Sequence, residues 1–181
     1  MLVDQQKVGY RMSKLNRRTA LKMIIQAYRN GAYIIGVHML TENSLEAKRN
    51  IRKFGPVNYT ANRNGETIYG YSNEEERIRI TQFVTKNIRD PKPDTRKASA
   101  NHITEARQRE LEKAIVDAYK KEAQFIVAYP PVNTEDDARR TLRFFGDAVQ
   151  GVSDDGRTQY VVDDIENQVK AIVTIGFTNQ Y

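Results

Sequence analysis

The chain has 181 residues, 39% of them hydrophobic and 29% charged, with a formal net charge of +6. That is enough apolar material for a modest core in one domain or two small ones. The absence of cysteine excludes disulfide frameworks, thiolate nucleophiles and cysteine-ligated zinc, and only His38 and His102 offer imidazole. No apolar run approaches the ~18 residues needed to span a bilayer and no signal-peptide core is evident, so a soluble, cytoplasmic protein with no membrane partner is expected.

Residues 1–12 carry no periodicity and read as a flexible tail. A helix follows, with Leu21, Ile24, Ile25 and Tyr28 at i, i+3, i+4 and i+7, stopped by Asn30-Gly31. Tyr33 to His38 reads as a strand. Asn43 and Glu46 make a capping pair that opens a second helix, whose buried stripe is Ala47, Ile51 and Phe54 and whose exit is Gly55. Asn64-Gly65 predicts a hairpin turn, because both residues tolerate positive φ. Asn73 with Glu76 predicts a further short helix, and Ile80 to Thr85 a closing strand. Residues 87–103, with Pro91 and Pro93 among Arg89, Lys92, Arg96 and Lys97, read as a basic linker.

The rest of the chain repeats this string. A shift of 91 residues aligns 14–86 with 105–177 without a gap, pairing Ile24 with Ile115, Ala27 with Ala118, Tyr28 with Tyr119, Phe54 with Phe145, Gly55 with Gly146, Gly65 with Gly156 and Tyr69 with Tyr160. Thr134 with Asp137 repeats the first capping pair, and Asp163 with Glu166 the second. The expected architecture is α+β: a tandem duplication of a ferredoxin-like β-α-β-β-α-β unit, each preceded by an extra helix, at 13–86 and 104–181.

Charge is divided unevenly. Residues 1–90 hold 16 Lys/Arg against 8 Asp/Glu, whereas 105–181 hold 10 against 14. One reading makes the basic copy a footprint for nucleic-acid phosphates: Arg18 and Lys22 on the first helix, and Lys48, Arg49, Arg52 and Lys53 on the second. The other packs the basic copy against the acidic one, within a chain or between chains of a homo-oligomer. The helix dipole alone also favours cations at Lys48 to Lys53.

Ten tyrosines and no tryptophan are the other feature. Tyr69 and Tyr71, two apart, project from one sheet face, and Tyr33 belongs to the strand expected beside them. Aromatic side chains on adjacent central strands can stack unpaired bases. The Tyr-Gly-Tyr at 69–71 resembles the core of the RNA-recognition motif, with Tyr33 near that family's first-strand aromatic; Glu66 and Thr67 stand where the family has a basic residue. The alternative is that these tyrosines pack beneath the leading helix or the other copy. His38, at the end of an apolar strand, reads first as structural, and Asp154-Asp155-Gly156 first as a turn. No catalytic residue, metal ligand or cofactor is assigned. The leading expectation is a non-catalytic nucleic-acid-binding or regulatory protein. The alternatives are a self-assembling duplicated module for a small ligand or protein partner, and then an enzyme with its site at a subunit interface.

Overall fold

The computed structural model describes residues 15–89, 91–94 and 103–176. The expected tail at 1–12 lies outside these residues, as do Lys14, Arg96, Lys97 and His102. Among the described residues no helix is long and apolar enough to cross a membrane. The protein is α+β, and the described residues form four helices and eight strands in mixed parallel and antiparallel pairing. The first half contains α1 (Arg17–Arg29), β1 (Tyr33–Thr41), α2 (Ser44–Arg52), β2 (Tyr59–Arg63), β3 (Glu66–Asn73) and β4 (Ile78–Val84). The second contains α3 (Glu105–Lys120), β5 (Gln124–Ala128), α4 (Glu135–Leu142), β6 (Val149–Val152), β7 (Thr158–Asp164) and β8 (Val169–Thr174).

Every helix opens on a side-chain cap that takes up an otherwise stranded N–H. Asn16 accepts from the Thr19 amide at 2.8 Å, and Asn43 from the Leu45 and Glu46 amides at 3.0 and 3.2 Å. Thr104 and Thr134 do the same for Arg107 and Asp137, each at 3.1 Å. The expected second capping pair behaves differently. Asn73 Oδ1 accepts from the Glu76 amide at 3.1 Å, but the chain then reverses through Arg77 at φ +58 and pairs again at once, Asn73 against Ile78. Gln168, at φ +60, makes the same reversal between Asp164 and Val169. Four residues between paired strands leave room for a turn and not for a crossover helix. Each half is therefore α-β-α-β-β-β and departs from the expected ferredoxin-like string. The strand orders are β2-β3-β4-β1 and β6-β7-β8-β5, the same order in both halves. β1 runs parallel to β4, and the hairpin neighbours are antiparallel.

The compact units do not follow the repeat. One is contiguous, residues 34–125, and the other is split, residues 15–33 with 126–176. Each leading helix thus belongs to the unit built from the other copy's strands.

In the contiguous unit, α2 packs on β3 and β4. Along β4 the side chains of Ile78, Ile80, Gln82 and Val84 are buried, while Arg79 is exposed and Thr81 and Phe83 are half-buried. One sheet face is covered by α2, and the residues of β4 on the other are exposed or half-buried. The α3 helix buries Leu111, Ala114, Ile115 and Ala118, and its Tyr119 ring lies 6.3 Å from that of Phe125. Arg107 fastens its first turn. The guanidinium donates to Glu76 at 2.7 and 3.2 Å and to the Phe54 carbonyl, and Glu76 also accepts from the Tyr71 hydroxyl. The described part of the linker is tied down as well. The Ile88 amide donates to Thr67, the Pro91 carbonyl accepts from Thr60, and Asp94 pairs with Arg52.

In the split unit, α1 buries Ala20, Ile24, Ala27 and Tyr28, and the Leu15 carbonyl just before it accepts from Asn167 Nδ2 at 2.6 Å. Charge favours this packing. α1 carries Arg17, Arg18, Lys22 and Arg29 and no acid, whereas residues 126–176 hold nine acids against five bases. A helix of net +4 meets strands and a helix of net −4, so part of the charge division along the sequence is answered inside the chain.

Candidate functional site

The nine residues expected to bind nucleic acid are divided between the two units. Arg18, Lys22 and Tyr33 belong to the split unit, and the other six to the contiguous one. Tyr69 and Tyr71 do share a sheet face, but it is the covered one, and each is only 1% exposed. They lie across from Gln82 and Ile80 under α2, and a Cβ on Gly55 would fall inside the Tyr71 ring. Burial pushes both hydroxyls up from their usual pKa. Neither ring is open to a base. Lys48 is spread over Tyr69, its Nζ 5.4 Å from the ring centroid.

Two of the remaining cations already have partners. Arg52 makes a two-point pair with Asp94, at 3.1 and 2.8 Å, and that carboxylate also accepts from the Val57 amide at 2.8 Å. The Arg52 guanidinium holds the Asp94 carboxyl below its usual pKa. Lys53 pairs with Asp117 on α3. Arg49 is exposed on α2.

The open face of the same sheet presents what Tyr69 and Tyr71 do not. Cross-strand register places Tyr59, Gly70 and Thr81 in one row and Ala61, Ile68 and Phe83 in the next. Tyr59 reaches from β2 across Gly70 to hydrogen-bond Thr81 on β4. A Cβ on Gly70 would fall inside the Tyr59 ring, so glycine is what allows the ring to lie down on the strand. The ring lies against the backbone at Gly70 and is half-buried. The Arg79 guanidinium carbon stands 5.6 Å from the ring centroid, and Arg63 is exposed at the end of β2. An aromatic plane flanked by cations on an uncovered sheet suits a flat, anionic polymer. The split unit has no such seat, because Gln150 and Val161 stand at the positions of Tyr59 and Gly70.

Tyr59 was not among the expected site residues. Its signal was the small residue between two tyrosines, since a glycine in a strand interior marks close approach by another group. Among the described residues there is no group of three or more side chains suited to hold a metal ion. Comparison with protein-family models, with curated proteins and with solved structures gives no match for this chain.

Proposed function

We propose that the protein is a non-catalytic binder of single-stranded nucleic acid that works through the open sheet face of the contiguous unit. The observation that carries this reading is the half-buried Tyr59 ring, laid across Gly70 with the Arg79 guanidinium over it, an arrangement that a base can enter if Arg79 swings toward a phosphate. A base stacks on the ring, and Arg79 and Arg63 take the neighbouring phosphates. Stacking tolerates any base, so selectivity for sequence is weak. On this reading the two halves come from a tandem duplication in which one copy kept the binding face and the other lost it. The protein acts in the cytoplasm and self-associates as a homo-oligomer, which multiplies the face along a strand.

Fluorescence anisotropy with short oligo-dT and oligo-U strands tests the site. Replacing Tyr59 by alanine should weaken binding by ~1–3 kcal/mol, roughly 5- to 150-fold, with little change in melting temperature. A parent protein that binds neither strand, or a Tyr59→Ala variant that binds as the parent does, overturns the proposal.

A further inference from the structure

Six polar side chains from four elements of the contiguous unit converge away from the open sheet face. His38, near the end of β1, is 5% exposed, and its Nε2 has no hydrogen-bond partner. Gln82 on β4 donates to the Met39 carbonyl at 3.0 Å and accepts from Asn50 of α2, also at 3.0 Å. Asn50 Oδ1 in turn accepts from Lys121, just past α3, at 3.4 Å. Lys53 pairs with Asp117, and Lys121 Nζ stands 3.9 Å from the same carboxylate oxygen. A cleft of about 490 Å³, lined by Lys53, Glu110, Lys113, Ala114 and Asp117, opens beside the pair.

The fold does not require this cluster. At the six positions 91 residues away the chain has Tyr129, Thr141, Phe144, Val173, Gln26 and Asn30, with no charge among them, and the strand order there is the same. Buried polar groups cost stability unless they are satisfied, so a set present in one copy and absent from its twin needs another reason. Its chemistry indicates one. Two ammonium groups share the Asp117 carboxylate beside a polar floor of Asn50 and Gln82, with Glu46 acting on Lys121 from further off.

We infer that Lys53, Lys121 and Asn50 form a binding site for a small anionic ligand, a carboxylate or a phosphate, seated between the two lysines on the side of Lys53 and Asp117 away from Glu110. An anion there bridges two like charges that otherwise repel, and makes charge-assisted hydrogen bonds to both. The proximity of Lys53, with burial, holds the Lys121 amine below its usual pKa against the opposing pull of Asp117 and Glu46. His38 Nε2 is the buried atom of the cluster with hydrogen-bonding capacity to spare.

Amide and imidazole NMR of the full chain, titrated separately with inorganic phosphate and with citrate, tests the site. Saturable shifts are expected at Asn50, Lys53, Asp117, Lys121 and the His38 ring. Lys121→Ala should weaken binding by about tenfold or more, Lys121→Arg should restore most of it, and Lys92→Ala should leave it unchanged. Lys121 is 47% exposed at its side chain, so its loss does not threaten the fold. Oligonucleotide affinity should be the same in the parent and in Lys121→Ala. The inference fails if neither anion gives saturable shifts, or if Lys121→Ala responds as the parent does. It also fails if phosphate and oligonucleotide affinity fall together, because the phosphate would then belong to a strand.

Discussion

The contiguous and split units share a strand order, paired helix caps and left-handed turn residues 91 apart, Arg77 with Gln168 and Gly65 with Gly156. They even share a cation over a tyrosine: Lys48 lies 5.4 Å from the Tyr69 centroid and Arg139 lies 5.0 Å from that of Tyr160. What recurs in both fits a part in making the fold, and Lys48 over Tyr69 is one such feature. What differs is concentrated. Tyr59 and Gly70 face Gln150 and Val161 across the repeat, Glu76 and Arg107 face Asn167 and Asn16, and the His38 cluster faces uncharged side chains. The split unit is a control that the chain carries within itself.

The largest effect that would sharpen this comparison lies at Glu76. Its carboxylate is 5% exposed and holds both Arg107 and Tyr71, so Glu76→Ala leaves a half-buried guanidinium only the exposed Glu110 carboxylate and the Phe54 carbonyl, and should cost about 3 kcal/mol in chemical denaturation. Replacing both partners by asparagine, as the split unit has, should recover much of that loss. A double variant no more stable than Glu76→Ala would mean that the two helix-docking arrangements are not equivalent.

A second effect depends on pH. Burial, then Lys121 and Lys53, lower the His38 pKa from 6.5 to about 4, against an opposing pull from Asp117. Between those values the unfolded chain binds the proton and the folded chain does not, so stability rises with pH across the window. The contribution lost on acidification to about pH 4 is about 3 kcal/mol. Denaturation of the parent and of His38→Gln at several pH values between 4 and 7 checks this. Equal slopes in the two proteins would show that His38 is not the group responsible.

The smallest effect is expected at Arg52, paired with Asp94. Its pair is geometrically good, but the Arg52 side chain is 53% exposed. Arg52→Ala should cost no more than about 0.5–1 kcal/mol. A larger loss in thermal melts would mean that Asp94 anchors the linker more firmly than an exposed ion pair can.

The elements were legible in the sequence wherever their cause is local. The stripe of Leu21, Ile24 and Tyr28, the caps at Asn43 and Thr134 and the Asn64-Gly65 turn each act within a few residues. Asn73 with Glu76 misled because the same spacing serves an Asx turn and a helix cap, and only Arg77 at positive φ separates them. The exchange of leading helices was hidden by the repeat itself. Ile24, Ala27 and Tyr28 match Ile115, Ala118 and Tyr119, so either helix suits either body by pattern, and the choice is made by charge and by the Arg107 and Asn167 contacts. Strand periodicity put Tyr69 and Tyr71 on one face correctly. It says nothing about which face the helices cover.

The split unit also sets an order of events during folding. The bond from Asn167 to the Leu15 carbonyl closes a loop of 152 residues. Contacts of such long range carry a large loop-closure entropy and form slowly. As the chain leaves the ribosome, α1 emerges well before residues 126–176 and has nothing to dock on until β8 has been made. Meanwhile residues 34–125 emerge as an uninterrupted stretch that holds its own strands and both helices of its core. During that interval α1 exposes Ile24 and Tyr28 to solvent, and the chain is most vulnerable to capture by another copy's 126–176 segment. The four positive charges of α1 keep it soluble while it waits.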